Sequence, residues 1–298
     1  MPGTGELRVL RRRIRSVSST QKITRAMELI AASRINRARQ AVEAARPYAE
    51  MITQVIRDLA ASNEVADHPL LAPHDSVDRV AIVVITSDRG LAGAYNTNVL
   101  RRAERLATEE RNAGRDVVVY ALGRKAEVYF RYRGQDPERT WTGIADRPGY
   151  SHAQDVGRTV MEAYAEGRVD RVWLAYTDFK SALTQVSATV QLLPVDPRAF
   201  EGGQAFPPQF LFEPGPDDIL ERLIPRYVEQ RVYAGLLEGA ASEHASRQRA
   251  MKAATDNAGD IIEALTREAN RARQAAITTE ISEIVGGAEA LSGNSGNS

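Results

Sequence analysis

The stretch RRRIRSVSSTQKITRAMELIAASRINRAR, from Arg11 to Arg39, decides the fold because its apolar residues recur at helical spacing. The pattern begins just before the stretch, where apolar residues are spaced three, four and three positions apart: Leu7, Leu10, Ile14 and Val17. They resume after SVSSTQ, at Ile23, Met27 and Ile30. This period is that of one helix face, and the break predicts a change of register at the serines. We predict a helix over residues 1–62 that bends at Pro47.

A second long helix is predicted at the other end, over residues 217–291, before a disordered tail at 292–298. Most of its apolar positions are three or four residues apart: Tyr227, Val228, Val232, Leu236, Ile261, Leu265, Ala269, Ala272, Ala276, Ile277, Ile281 and Ile284. At ~1.5 Å per residue, a helix of this length spans on the order of 100 Å. Pro225 is expected to kink this helix or delay its start. Two such helices predict an antiparallel coiled coil, with Gly235 and Gly239 allowing close approach.

Between the helices the pattern changes to buried strands that alternate with short helices, over residues 77–195. RVAIVVIT, DVVVYAL and VDRVWLAYTDF are continuous β-branched or apolar runs, and TQVSATVQLLPV alternates like an edge strand. This order predicts a Rossmann-like α/β domain with a mostly parallel sheet. The predicted fold class is therefore α/β: a central α/β domain plus a long antiparallel coiled coil formed by the two terminal helices.

The composition of the chain limits the classes of function that it can have. The 298 residues have a formal net charge of zero and no cysteine, which argues against nucleic-acid binding by the whole chain and fits a reducing compartment. From Met1 to Gln40, however, the chain has ten basic and two acidic residues, so this segment has a formal charge of plus eight. That excess indicates either an acidic partner face or a solvated helix face. No apolar run is long enough to span a bilayer, so we expect a soluble or peripheral cytoplasmic protein.

One motif in the central region could bind a phosphate group: SDRGLAGAYN, from Ser87 to Asn96. It follows a predicted strand and begins a predicted helix, which is the setting of many phosphate sites. It lacks both glycine-rich phosphate fingerprints, so a tight turn with Ser87 or Asp88 as helix cap is favoured over a nucleotide site. The four histidines show no metal-ligand spacing; they are His68, His74, His152 and His244. We expect no cofactor and no metal, which favours a mechanical or interaction protein.

STQKITRAMELIAASRINRARQ, TSDRGLAGAYN and AMKAATDNAGDIIEALTREANRARQAAITTEISEIVGGAEAL resemble, in this order, the gamma subunit of bacterial F-type ATP synthases. The resemblance implies a rotor shaft, a left-handed coiled coil inside a ring of three alpha and three beta subunits. The α/β domain would lie at the foot, near the epsilon subunit and the c-ring. Proton flow would turn the c-ring and this chain, while ATP is made on beta. Membrane contact would come only through the complex, at the cytoplasmic face of the cell membrane.

The resemblance also implies contact residues. Beta loops would meet Arg273, Gln274, Thr278 and Glu280, together with the segment that holds Lys22, Arg25 and Met27. The c-ring would meet a foot segment with Phe210, Phe212 and Glu213. From the residues alone, each is an ordinary exposed helix or loop position. Two other functions remain open at this point: a nucleotide-binding α/β enzyme with helical arms, and a coiled-coil scaffold or nucleic-acid clamp.

Overall fold

The computed structural model describes residues 2–60, 68–196 and 216–293. In chain order the elements are α1 (Pro2–Ala60), β1 (Arg79–Ile85), α2 (Tyr95–Asn112), β2 (Asp116–Leu122), α3 (Arg124–Tyr132), β3 (Arg139–Trp141), α4 (Tyr150–Ala165), β4 (Arg171–Phe179), β5 (Gln185–Leu193) and α5 (Pro216–Gly293). The chain divides into two compact units. The coil unit is Met1–Ile30 with Arg249–Ser298, and the head unit is Ala31–Gln248.

The head unit contains a five-stranded sheet in the order β3-β2-β1-β4-β5. All neighbouring pairs are parallel except β4 and β5, which are antiparallel. The mostly parallel sheet is thus confirmed, and β5 occupies an edge as its alternating sequence predicts. The sequence did not predict β3, because three residues are too few for a recognisable pattern.

Strands β1 and β2 are buried on both faces, which explains their continuous apolar runs. Along β1, Ile82 and Val84 pack with α2 and α3 on one face. Ala81, Val83 and Ile85 pack on the other face with α4, α5 and the end of α1. The period of two along the strand therefore separates two hydrophobic clusters, one on each side of the sheet.

Gly235 and Gly239 allow close approach, but to the sheet and not to α1 as predicted. A Cβ atom at Gly235 would lie 3.0 Å from Leu174, and one at Gly239 would lie 3.1 Å from Ile85. Their spacing of four residues places both glycines on the same side of α5. They are therefore positions where α5 contacts β1 and β4.

Neither proline ends its helix. Pro47 lies inside α1, and Pro225 lies inside α5, which already begins at Pro216. The expectation that Pro225 delays the helix is wrong. At the other end, α5 continues to Gly293, two residues into the predicted tail, and residues 294–298 lie outside the described residues.

The predicted change of register at the serines of α1 is also wrong. The less exposed positions of this helix keep one 3-4 spacing from its first turns to its last: Leu7, Leu10, Ile14, Val17, Gln21, Thr24, Glu28, Ala31, Ile35, Ala38, Val42, Ala45, Ala49, Ile52 and Ile56. The repeat looked broken because its inward positions hold Gln21, Thr24 and Glu28. Ile23 and Ile30, which belonged to the predicted stripe, are 58% and 54% exposed.

In the coil unit, α1 and α5 pair through this repeat. The less exposed positions of α5 there have the same spacing: Met251, Thr255, Ala258, Ile262, Leu265, Ala269, Ala272 and Ala276. The Thr24 and Thr255 hydroxyl oxygens are 2.8 Å apart, and the Gln21 amide donates to the Thr255 carbonyl at 3.3 Å. Gly259 leaves room for Gln21, whose Nε2 would be 3.2 Å from an added Cβ. These polar groups form a layer within an otherwise mostly apolar seam.

Candidate functional site

Among the described residues, none of α1 lies opposite the end of α5. The contact of Thr24 with Thr255 sets the antiparallel register of the coil. Pro2 is 22 residues before Thr24, and Ile277 is 22 residues after Thr255, so α1 begins opposite Ile277. The part of α5 from Ile277 to Gly293 therefore extends beyond its partner; we call it the tip. Its large apolar residues are exposed by 44–66%: Ile277, Ile281, Ile284 and Val285.

The predicted beta-contact residues of α5 lie at the start of the tip and just before it. All four are exposed: Arg273, Gln274, Thr278 and Glu280. The Thr278 hydroxyl donates to the Gln274 carbonyl at 3.0 Å, which is a bond within the helix. These side chains are accessible to a partner, and their predicted contact with beta remains a prediction.

In α1, the predicted contact residues differ in exposure. Lys22 and Arg25 are exposed, whereas Met27 is half-buried. Arg25 forms an ion pair with Glu28 at 3.0 Å, and its side chain remains 58% exposed. Glu28 is mostly buried, with 11% of its side chain exposed, whereas the Arg25 side chain is mostly open to water, so its guanidinium remains accessible to another carboxylate.

Sequence reasoning missed an exposed apolar surface on α1. Val9, Ile23, Leu29 and Ile30 are between 45% and 58% exposed. The available signal was the strict 3-4 repeat, because these residues all fall outside it. These four side chains are therefore accessible to another protein.

The predicted foot contacts cannot be placed in the same way. Phe210, Phe212 and Glu213 lie outside the described residues, in the segment between β5 and α5.

The turn after β1 is held by hydrogen bonds within the protein. The Ser87 amide donates to the Asn96 side chain at 2.9 Å, and the Ser87 hydroxyl donates to the Arg89 carbonyl at 2.5 Å. The Asp88 carboxylate accepts from the backbone amides of Arg124 and Ala145. Helix α2 begins after Ala94 without a side-chain cap, so the prediction that Ser87 or Asp88 caps it is wrong. Asp88 instead accepts the amide of the first residue of α3.

Arg247 joins this turn to α5. Its guanidinium donates to the Gly90 carbonyl at 3.2 Å and pairs with Glu243 at 2.7 Å. Both side chains are at least 90% buried. A buried pair of this kind fixes one arrangement, because separating the charges would leave one of them unpaired away from water. The SDRGLAGAYN motif therefore serves as an anchor for α5 within the head unit.

A second group of charges joins α1, α5 and the loop before α4. Arg34 donates to both oxygens of Asp146, at 2.5 and 2.6 Å. His244 Nε2 lies 3.7 Å from Asp146 Oδ1. Potential ligand atoms of Asp146, Glu243 and His244 lie within 4.8 Å of one another. The sequence analysis did not foresee this cluster, because Asp146 is about a hundred positions from the other two.

Burial shifts the pKa of two groups on α5. The pKa of His244 falls to about 4, first because burial disfavours the imidazolium and in spite of the nearby Asp146 carboxylate. The pKa of Glu238 rises to about 7, first through burial and then through the charge of Asp178. His244 is therefore neutral at pH 7, and Glu238 is about half protonated there.

Within residues 2–60, 68–196 and 216–293, we find no helix with the length and apolar character that crossing a membrane requires.

Comparison with known proteins agrees with this architecture. A family model described as ATP synthase matches residues 6–291. The ATP synthase gamma chain of Saccharopolyspora erythraea is 49% identical over 302 residues, covering 96% of this chain and 98% of that protein. The gamma chain of a Parafrankia species is 52% identical over 295 residues, with 96% and 98% covered.

Solved structures show the same fold. A chain of the central stalk and c-ring of Tetrahymena thermophila mitochondrial ATP synthase aligns with a TM-score of 0.60 and 26% identity, covering 78% of this chain and 99% of that one. A chain of the Euglena gracilis mitochondrial ATP synthase aligns with a TM-score of 0.68 and 18% identity, covering 99% and 97%. With matches of this extent, the chain belongs to the ATP synthase gamma-chain family.

Proposed function

We propose that this chain is the central-stalk rotor subunit of an F-type ATP synthase. It turns with a c-ring, beside an epsilon subunit, inside a ring of three alpha and three beta subunits. Its rotation carries each catalytic beta subunit in sequence through different nucleotide affinities. The complex would sit at the cytoplasmic face of the cell membrane, with this chain peripheral to the bilayer.

The observation that carries the proposal is the tip of α5, which the register of the coil leaves without a partner. A single helix with four exposed branched apolar residues would be a liability on an isolated soluble protein. It suits a helix end that another protein surrounds. The tip residues from Ile277 to Val285 carry two glutamates and no basic group, so no long basic side chain is present to form ion pairs with a sleeve.

Exposed charges on both helices suit a moving contact. An exposed ion pair contributes only ~0–1 kcal/mol, so it can form at one position and break at the next. Lys22 and Arg25 on α1 and Arg273 on α5 are exposed cations of this kind. Acidic loops of beta would complement them, which supports the acidic-partner interpretation of the basic N-terminal segment.

We also propose that the chain has no active site of its own. The polar groups of the turn at Ser87 are used in holding α2, α3 and α5, which argues against the nucleotide-binding enzyme. The formal net charge of zero argues against the nucleic-acid clamp.

Reconstitution tests the proposal. The purified chain is mixed with alpha and beta subunits from the same cell, and complex mass and steady-state ATP hydrolysis are measured. We expect one copy of this chain per three beta subunits, hydrolysis that depends on it, and no hydrolysis by the chain alone. If the chain stays separate and hydrolysis does not change, the rotor assignment is wrong.

The predicted beta contacts are tested by Arg273→Ala combined with Gln274→Ala. Because both side chains are exposed, the chain alone is expected to keep its far-UV circular dichroism and its melting temperature. Proton-driven ATP synthesis by the reconstituted complex is expected to fall by about threefold or more, since a charge-assisted contact is lost.

A matched control is Arg105→Ala with Asn112→Ala, an exposed arginine and an exposed amide on α2 of the head unit. This pair is expected to leave synthesis unchanged. Equal synthesis rates for the two double variants would remove Arg273 and Gln274 from the contact surface.

A further inference from the structure

A cavity of about 330 Å³ lies in the head unit, between α1, α5 and the loop before α4. Its floor is apolar and includes Ala41, Leu237 and Ala240. Binding sites for small molecules begin at about this volume and are mostly apolar with a few polar groups. The rotor function described above assigns no role to this space.

Positive charge borders the cavity. Arg34, Arg37 and Arg147 all line it, against one carboxylate, Asp146. Arg34 and Asp146 neutralise each other through their two hydrogen bonds. Arg37 and Arg147 are exposed, and in the described parts of the chain neither has an ion-pair partner within 4.0 Å. Two guanidinium groups thus remain for an anion.

A residue with a buried polar atom that has no hydrogen-bond partner in the described residues also lines the cavity. The His244 side chain lines it and is 3% exposed, and its Nδ1 atom has no hydrogen-bond partner in the described residues. A buried nitrogen without a hydrogen-bond partner is unfavourable, so a ligand that offers it a partner is favoured. Neutral imidazole can donate one hydrogen bond to an oxyanion.

A divalent cation fits the same cluster less well. Asp146, Glu243 and His244 could supply three ligand atoms, but the two carboxylates already have cationic partners. Arg34 holds both oxygens of Asp146, and Arg247 holds Glu243. A metal ion would therefore meet two guanidinium groups at short range, which repel it. The surplus charge at the rim favours the opposite sign of ligand.

We propose that this cavity binds a small organic anion, in which a phosphate or carboxylate group meets Arg37 and Arg147 and an apolar body lies on Ala41 and Leu237. Arginine pairs with both groups through two parallel hydrogen bonds, which gives direction as well as charge. Because α1, α5 and the loop before α4 all line the cavity, the ligand would tie these three segments of the head unit together. This inference does not depend on the rotor function.

The test uses the full chain and three fluorinated probes followed by ¹⁹F NMR line broadening: 4-fluorophenyl phosphate, 4-fluorobenzoate and neutral 4-fluorobenzyl alcohol. At least one anion is expected to bind saturably, with a dissociation constant on the order of 1 mM for so small a ligand. The alcohol is expected to bind about tenfold more weakly or worse, because it lacks the charged group.

Two variants locate the binding. The double variant Arg37→Gln, Arg147→Gln removes the two exposed arginines that have no ion-pair partner in the described residues. It is expected to weaken anion binding about tenfold. Ala41→Leu fills part of the floor and is expected to weaken binding of the anions and the alcohol alike. The matched control is Arg39→Gln with Arg131→Gln, which removes two exposed arginines that do not line the cavity. Circular dichroism checks that every variant is folded.

Three results would overturn the proposal: no saturable binding of either anion, equal affinity for the anions and the alcohol, or wild-type affinity in the folded Arg37→Gln, Arg147→Gln variant. Unchanged binding in the folded Ala41→Leu variant would overturn it too, since the probe would then sit elsewhere. None of these results bears on assembly with alpha and beta, so the two proposals fail separately.

Discussion

Glu238 on α5 is the residue whose protonation is expected to change stability near neutral pH. Its pKa rises from 4.5 to about 7, through burial first and the Asp178 carboxylate second. One of its oxygens is buried without a hydrogen-bond partner in the described residues. Between pH 4.5 and 7, the folded chain keeps a proton that the unfolded chain has released. The free energy of unfolding therefore falls as pH rises through this window.

The substitution Glu238→Gln is expected to remove this fall in the free energy of unfolding with rising pH. At pH 5 the variant and the wild type are expected to differ little, whereas at pH 8 the variant is expected to be more stable by about 2 kcal/mol. Urea denaturation at the two pH values measures the difference. Glu263→Gln, at an exposed carboxylate paired with Arg267, is the control and is expected to show no such dependence. A variant effect that is the same at both pH values would contradict the assignment to Glu238.

At the scale of the element, the coiled coil depends on a polar layer as well as on its apolar seam. Thr24 is 92% buried, and its hydroxyl meets that of Thr255. Each hydroxyl also bonds a carbonyl within its own helix, that of Gln21 for Thr24 and that of Met251 for Thr255. The contact across the coil therefore contributes little to the net free energy of folding, but it can form in one register only. Such a layer thus favours one register over the shifted alternatives, as single polar residues do in other coiled coils.

A double-mutant cycle on Thr24→Val and Thr255→Val tests this layer. Each single variant is expected to lower the free energy of unfolding by about 1 kcal/mol, because one hydroxyl loses its partner across the coil. The double variant is expected to lose less than the sum, with a coupling of about 0.5–1 kcal/mol. Urea denaturation measures all four chains.

The control cycle pairs Thr24→Val with Thr266→Val. Thr266 is exposed, and its hydroxyl donates to the Ile262 carbonyl within the same helix. Its coupling with Thr24 is expected to be near zero. If both cycles give the same coupling, the hydroxyl contact does not contribute to pairing of α1 with α5.

The sequence predicted elements well where one physical signal dominates. The continuous β-branched runs of β1 and β2 reflect burial on both faces of the sheet, so both strands could be located. It failed where polar residues occupy inward positions, since Gln21 and Thr24 conceal the repeat of α1. It also failed where distant positions converge, as Asp146 and His244 do, because their contact depends on how α5 packs in the head unit.

For the candidate site, the sequence predicted exposure better than contacts. Arg273 and Gln274 are exposed, which is what the resemblance to the gamma-subunit family implies for residues that contact beta. Exposure alone does not identify a partner. The apolar residues of the tip could not be distinguished from a coiled-coil seam, because Ile277, Ile281 and Ile284 have the same spacing. Only the register of α1 against α5 shows that α1 begins opposite Ile277, so that no described residue of α1 lies opposite Ile281 or Ile284.

At the scale of the whole molecule, the tip is expected to affect assembly and not the stability of the chain. Ile281 is 56% exposed, so Ile281→Ser is expected to change the free energy of unfolding by less than about 0.5 kcal/mol. If a ring of alpha and beta buries this residue, the affinity of the chain for the ring is expected to fall by about threefold to tenfold. Titration of labelled chain into the isolated ring measures it.

Tyr132→Ser on α3 is the control, because Tyr132 is 89% exposed and lies in the head unit. It is expected to leave the affinity for the ring unchanged. Should Ile281→Ser bind the ring as tightly as the wild type, the tip is not surrounded by the partner at this position.

The spacing of the seam has a mechanical consequence. Contact positions that recur every 3.5 residues make a pair of helices wind around each other in the left-handed sense. A two-stranded rope of fixed hand tightens when it is twisted one way and opens when it is twisted the other way. The coil unit is therefore expected to be stiffer in torsion for one direction of rotation, so that synthesis and hydrolysis of ATP would store different amounts of elastic energy in the same shaft.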